Sequence, residues 1–187
     1  LIDNDVGLFF QSIATKSWDK FSVRPRIVAV TGSNGKSTTA SLLHHIFLKL
    51  GYKSQLAGNI GRGVLDIDPP ENNELIVLEL SSYQTEVARI LSPDLAIFTN
   101  FSADHLERHG GIGGYLAAKR RLFTEGCPDY SIIGVDELAG LNLAQQLSAS
   151  IGDDSIIRVS ATKQIRRIDW SIFCDGSYLV EHRKGKQ

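Results

Sequence analysis

Val28-Ala29-Val30-Thr31-Gly32-Ser33-Asn34-Gly35-Lys36-Ser37-Thr38-Thr39 runs from an apolar strand into a glycine-punctuated loop and ends in Lys-Ser-Thr at the start of an amphipathic helix. Gly32 and Gly35 let backbone N–H groups turn inward, and a helix N-terminus adds unpaired donors and partial positive charge. The stretch therefore reads as a nucleotide phosphate cradle made of Gly32, Ser33, Asn34, Gly35, Lys36, Ser37 and Thr38. Lys36 reaches the outer phosphates, and the Ser37 hydroxyl ligates a magnesium ion. The competing reading is an ordinary strand-to-helix turn. The common phosphate loop, Gly-x-x-x-x-Gly-Lys-Ser/Thr, opens on a glycine. Val30 stands at that position here, so this cradle is the shorter kind.

Outward from the cradle, the helix is predicted over Lys36–Leu50, burying Leu42, Leu43, Ile46, Phe47 and Leu50 and stopping at Gly51. Upstream, Ile2, Val6, Phe9, Phe10 and Ile13 recur at helical spacing and predict an amphipathic helix before the strand Ile27–Val30. Apolar runs at Ser54–Ala57, Leu75–Leu80, Leu95–Thr99, Tyr130–Val135 and Ile156–Val159 predict further strands. Helices are predicted between them at Tyr83–Leu91, Tyr115–Glu125 and Asp136–Ala149. Strands that are continuously apolar, alternating with helices, specify an α/β fold: a P-loop-type, mostly parallel sheet with helices on both faces. Ile168–Cys174 and Ser177–Glu181 flank Asp175-Gly176, a tight-turn dipeptide, and predict an antiparallel hairpin edge near the C-terminus.

The 187 residues, 42% hydrophobic and 22% charged, suit one domain. A net charge of −1 gives no footprint for nucleic acid or an anionic membrane, so an anionic ligand must be held by a local site. Cys127 and Cys174 lack metal-ligand spacing and suit a reducing compartment. No apolar run approaches the roughly 20 residues that span a bilayer, and no signal peptide is visible, so membrane insertion is not expected and the chain reads as cytoplasmic. It begins at Leu1, contains no methionine and stops at Gln187, which reads as a single domain, residues 1–187, cut from a longer protein.

Leu75-Ile76-Val77-Leu78-Glu79-Leu80-Ser81-Ser82 is a buried strand with a carboxylate near its C-terminal end. In doubly wound sheets that end lines the ligand crevice, which places Glu79 to hold the nucleotide's magnesium, directly or through water. The competing reading is a strand-end carboxylate capped by the following helix.

Four segments, Thr31 to Thr38, Gly58-Asn59-Ile60-Gly61, Glu79-Leu80-Ser81-Ser82-Tyr83-Gln84, and Thr99-Asn100 through Asp104-His105-Leu106-Glu107-Arg108-His109, follow the order and spacing of Mur ligase central domains. The chain resembles that family closely over about residues 26–135 and loosely at its flanks. Within the family it looks most like the members that add D-glutamate. The resemblance implies an ATP-dependent amide ligase that joins D-glutamate to UDP-N-acetylmuramoyl-L-alanine through an acyl phosphate, in peptidoglycan precursor synthesis. It further implies catalytic roles for Lys36, His105 and Lys119, and substrate contacts from Asn59, Ser82 and His105. Two magnesium sites drawn from Ser37, Glu79, His105 and Lys119 are implied as well, with Lys119 carbamylated. Tyr83 and Thr85 stand where the family more often has Phe and Leu.

The residues themselves leave plainer readings open. Asn59 can be a turn residue beside glycine, His105 a solvated loop histidine, and Lys119 a surface lysine on a helix. His44, His45, His109 and His182 are read as solvated. The family's full length adds an N-terminal domain for the uridine nucleotide and a C-terminal domain that helps bind ATP and the amino acid, and neither is in this sequence. Two other functions compete: another Mur ligase or folylpolyglutamate synthase-like ligase, and a nucleotide-binding module without ligase activity.

Overall fold

The computed structural model describes residues 3–14, 21–102, 107–166 and 168–184. Strand β1 (Arg26–Thr31) lies inside an eight-stranded sheet, and burial on both sides explains its lack of polar alternation: every residue from Ile27 to Thr31 is buried. The remaining strands are β2 (Ser54–Gly58), β3 (Leu75–Glu79), β4 (Leu95–Phe98), β5 (Tyr130–Gly134), β6 (Ile156–Ser160), β7 (Trp170–Asp175) and β8 (Tyr178–Arg183). Their order across the sheet is β2-β3-β1-β4-β5-β6-β7-β8. All pairings are parallel except β7 with β8, as the sequence predicts. The hairpin turn falls one residue later than expected. Asp175 pairs with Tyr178, so Gly176 and Ser177 form the loop, with Gly176 at φ 59°.

Helices α1 (Asp5–Ala14), α4 (Ile112–Thr124) and α5 (Leu138–Ile151) cover one face of the sheet. Val6, Phe9, Phe10 and Ile13 of α1, with Leu122, Phe123, Leu143 and Leu147 of α4 and α5, pack there against Ile27, Ala29, Ile76, Leu78, Phe98 and Ile133. Asn4 caps α1 through Oδ1, which accepts from the Gly7 N–H at 2.9 Å, and its Nδ2 donates to the Gln84 carbonyl at 2.8 Å. That second bond ties α1 to the short helix α3 (Ser82–Val87), which packs beside it and α4.

Helix α2 (Lys36–Lys49) is the one described helix on the opposite face, where Ala40, Leu43 and Phe47 meet Val28, Val30, Val77 and Ile97. The expected burial of this helix needs correcting. Leu42, Ile46 and Leu50 are 55%, 40% and 67% exposed. They form the helical row next to Leu43 and Phe47, and among the described residues no second helix lies on this face to cover that row. Helix α3 also ends at Val87 rather than Leu91. Ala88 takes an extended backbone with ψ 126°, and Arg121 of α4 donates to the carbonyls of Thr85, Glu86 and Ala88, satisfying the helix end from a neighbour.

Asp136, just past β5, ties that strand to the turn after β6. It accepts from the Ser160 and Thr162 hydroxyls and from the Ala161 and Thr162 N–H groups. Burial pushes the carboxyl up, but these hydrogen bonds outweigh it and hold the group below its ordinary 3.8, at about 2. A carboxyl depressed in the folded state stabilises the fold above its unfolded pKa and loses that contribution as pH falls from about 4 toward 2. Asp136→Asn is expected to lower unfolding stability at pH 7 and to flatten its decline across that acid window. Urea titrations at several pH values check both effects, and an unchanged acid slope in the variant would contradict the assignment.

Candidate active site

The chain winds from β1 out to β2, returns through β3, and crosses to β4 on the other side of β1. That reversal opens a crevice beyond the carboxyl ends of β1 and its neighbours, where ligands of such sheets bind. The loop between β1 and α2 sits in it. Gly35 is in the left-handed region at φ 76°, and a Cβ on Gly32 would lie 2.0 Å from Thr99 Oγ1. Both glycines are therefore required by the geometry of the loop.

Segment 99–102, which follows β4, holds this loop rigidly. The Ser33 N–H donates to the Asn100 carbonyl at 3.0 Å, and the Asn34 N–H donates to Asn100 Oδ1 at 2.9 Å. The Asn34 carbonyl accepts from Thr99 Oγ1 at 2.8 Å and Asn100 Nδ2 at 3.1 Å. Ser33 Oγ donates to the Ser102 carbonyl and Asn34 Nδ2 to Ser102 Oγ, each at 3.0 Å. Ser33 and Asn34 thus use their backbone donors to anchor the loop. The N–H groups at the start of α2, Lys36 to Thr38, have no carbonyl a turn behind them in the helix, and Ser37 and Thr38 are exposed. Asn100 is a structural support of the cradle that sequence reasoning quoted as motif without giving it a role.

Lys36 folds back over the loop, its Nζ donating to the Ser33 carbonyl at 2.8 Å. Across the crevice Glu79, at the end of β3, is completely buried. Its Oε2 accepts from Ser37 Oγ at 3.0 Å, while Oε1 has no hydrogen-bond partner. A carboxylate with an unpaired buried oxygen is costly unless a cation joins it. Helix α3 is capped instead by Ser81, in a reciprocal capping box with Gln84, so Glu79 is not needed for that task. A serine hydroxyl beside a carboxylate is a hard oxygen donor pair. It fits magnesium, which uses one or two carboxylates and takes its other ligands from water and phosphate.

Lys119 is no surface lysine. On α4 it is 1% exposed, its Nζ donates to the Gly32 carbonyl at 2.6 Å, and it lies 4.5 Å from the Tyr115 ring centroid. Asn59 is exposed just past β2, with its N–H donating to the Glu79 carbonyl at 2.9 Å, which brings it to the same edge of the sheet. Ser82 is 2% exposed, and its hydroxyl is engaged 3.0 Å from His109 Nε2. The expectation that His109 is solvated is overturned: its side chain is wholly buried. His105, with Asp104, lies outside the described residues. A cavity of about 390 Å³ between α4 and α5, lined by Phe123, Cys127, Leu143 and Leu147, contains none of the predicted site residues.

Sheet order, the loop and its place between β1 and α2 define an α/β domain of the P-loop type. The model of the Mur ligase middle domain matches residues 30–177, and the chain belongs to the Mur ligase family. It is 61% identical over 186 residues to the UDP-N-acetylmuramoylalanine–D-glutamate ligases of Cereibacter sphaeroides and Ruegeria pomeroyi, and 58% identical to that of Jannaschia sp.. Each match covers all of this chain and 40% of the relative, so the chain spans about two fifths of these proteins' length. Among solved structures it resembles Escherichia coli FolC in complex with DHPP and ADP, with a TM-score of 0.59 at 15% identity over 98% of this chain and 51% of that one. It also resembles the bifunctional folylpolyglutamate synthase/dihydrofolate synthase of Yersinia pestis complexed with AMPPNP and a manganese ion, with a TM-score of 0.57 at 15% identity over 100% and 52%. At that identity the likeness establishes the fold.

Proposed function

We propose that this chain is the nucleotide-binding middle portion of a longer cytoplasmic ligase that uses ATP to join D-glutamate to UDP-N-acetylmuramoyl-L-alanine, a step of peptidoglycan precursor synthesis. The observation that carries the reading is the buried Glu79 carboxylate, one oxygen on Ser37 and the other unpaired, facing an open helix N-terminus. The relatives' shared name supports the choice of acceptor and amino acid. No described helix is long and apolar enough to cross a membrane.

In the reaction, an oxygen of the substrate carboxylate attacks the γ-phosphorus of ATP and the bond to the β-phosphate oxygen breaks, giving an acyl phosphate and ADP. The D-glutamate amine then attacks the acyl carbon, and the tetrahedral adduct expels phosphate and loses the amine proton. The N–H groups opening α2 bind the phosphate chain, and Lys36 turns from the Ser33 carbonyl to the phosphoryl group in transit. Magnesium held by Ser37 and Glu79 would neutralise charge on that group. Asn59, at the edge of the sheet beside Glu79, faces the acceptor.

Lys119 belongs to the same proposal as a carbamate. An ammonium about 5 Å from a divalent ion would be repelled by about 7 kcal/mol at an effective dielectric of about 20. Reaction of the amine with carbon dioxide, with loss of a proton, replaces that charge with an anion able to support a second magnesium together with His105. In the complete enzyme, Lys119→Ala is expected to abolish most turnover, and formate or acetate to restore part of it. Full activity without rescue would contradict the carbamate.

The test of the overall reading is phosphate release by the complete protein with UDP-N-acetylmuramoyl-L-alanine, ATP and magnesium, adding D-glutamate, L-glutamate, L-alanine or diaminopimelate separately. Release that requires D-glutamate is the expected result. Dependence on a different amino acid reassigns the enzyme within the family, and nucleotide binding without release reduces the chain to a binding module.

A further inference from the structure

His109 is the most unusual polar group outside the nucleotide site. Its imidazole is sandwiched between two tyrosines, stacked at 5.3 Å and 23° on Tyr83 and tilted at 5.4 Å and 36° to Tyr115. Nε2 lies 3.0 Å from Ser82 Oγ, and Nδ1 lies 3.3 Å from Glu86 Oε2 without a well-aligned hydrogen bond. The backbone commits to this placement. A Cβ on Gly114 would sit 1.8 Å from the His109 carbonyl oxygen, so only glycine lets the first turn of α4 close over the histidine. An apolar ring would fill the same slot without an under-bonded buried nitrogen, whose cost is about 1–3 kcal/mol.

The contacts of His109 join two parts of the site. Ser82, Tyr83 and Glu86 belong to α3, which begins just after Glu79. Tyr115 belongs to α4, the helix that carries Lys119; its hydroxyl is 3.2 Å from Ser33 Oγ, and the Lys119 ammonium lies over its ring. His109 thereby sets the spacing between the end of β3 and the buried lysine. Tyr115 and Lys119 also touch the cradle loop, at Ser33 and the Gly32 carbonyl, but Thr99, Asn100 and Ser102 hold that loop from the other side through more bonds.

We propose that His109 is a positioning residue for the acceptor side of the reaction, fixing the Ser82 hydroxyl and the Tyr115 ring so that α3 and α4 present Ser82 and Lys119 to the carboxylate substrate while ATP is bound independently. The proposal rests on the ligase reading above. The Glu86 carboxylate beside Nδ1 favours the tautomer with its proton there, which makes Nε2 the acceptor and the Ser82 hydroxyl the donor. The remaining lone pairs of Ser82 Oγ then accept from an N–H or O–H of that substrate, not from its carboxylate, which has no proton to give.

The experiment uses the complete ligase with His109→Phe, His109→Gln, Ser82→Ala and the His109→Phe/Ser82→Ala pair. Phe keeps the stacking between the tyrosines and loses the bond to Ser82. Gln carries an amide that reaches the Nε2 position. His109→Phe is expected to raise KM for UDP-N-acetylmuramoyl-L-alanine about tenfold, the scale of one lost buried hydrogen bond, with KM for ATP within about twofold of wild type. Ser82→Ala should show the same split, the pair no further loss, and Gln a return of most of the affinity. Equal shifts in both KM values, unchanged kinetics with a lowered melting temperature, or additive losses in the pair would each overturn the proposal. If His109→Phe does not fold, Ser82→Ala and His109→Gln decide it by the same readout. A wild-type protein without D-glutamate-dependent release instead refutes the ligase reading, and this inference falls with it.

Discussion

Lys36→Ala in the complete ligase is expected to lower kcat by about 10²–10³-fold, the usual cost of removing one charge-stabilising group from a transition state. The side chain is anchored by its bond to the Ser33 carbonyl, and that loop is already held through Asn100 and Ser102. Its removal therefore leaves the fold and cradle in place, and the melting temperature should stay close to that of wild type. Nucleotide affinity should fall less than turnover, because the N–H groups opening α2 still meet the phosphates, whereas the extra negative charge of the transferring phosphoryl group meets no ammonium. Lys36→Arg should restore little. Guanidinium is a planar fork that cannot occupy the compact space of an ammonium against the loop. Steady-state phosphate release and a thermal melt on the same samples check the prediction. Near-normal turnover by the alanine variant would remove Lys36 from the mechanism.

Which features could be read in the sequence, and which could not, follows from how local their causes are. The runs Leu75–Leu78 and Leu95–Phe98 are apolar at successive positions because both faces of a parallel sheet are covered, and that pattern is visible in the residues alone. The cradle is equally legible, since a glycine at a left-handed turn and a lysine opening a helix are requirements of a few consecutive residues. Burial of α2 was not legible. Leu42, Ile46 and Leu50 have the spacing of a core stripe, yet what faces a helix is decided by elements remote in sequence. The plain readings of Lys119 as a surface lysine and of His109 as solvated fail for the same reason. An isolated lysine or histidine has no sequence signature of burial, and only the approach of α3, α4 and the cradle loop takes these two out of water. The Gly110-Gly111 and Gly113-Gly114 pairs were the one available signal, since such a density of glycine marks a tight passage of backbone.

Glu79→Gln separates the metal reading from a structural one most sharply, because the two predict opposite signs. The substitution keeps the volume and leaves an oxygen to accept from Ser37, but removes the charge. Glu79 is a buried carboxylate with one oxygen that no protein group meets. Neutralising it should leave the melting temperature in magnesium-free buffer unchanged or raised, since a buried charge without a partner destabilises. Had the carboxylate been a helix cap, the same change would lower stability, but Ser81 and Gln84 already perform that task for α3. Catalysis should move the other way. A neutral amide is a poor ligand for a hard divalent ion, so the magnesium concentration giving half-maximal turnover should rise more than about tenfold, and kcat at saturating magnesium should fall by about 10²-fold or more. Magnesium titrations of phosphate release, paired with melts in EDTA and in magnesium with ADP, read both signs. Wild type should gain stability from magnesium and ADP together, and the variant should lose most of that gain. A variant that melts lower in EDTA yet responds to magnesium like wild type would mean that Glu79 serves the fold and that the ion is held elsewhere.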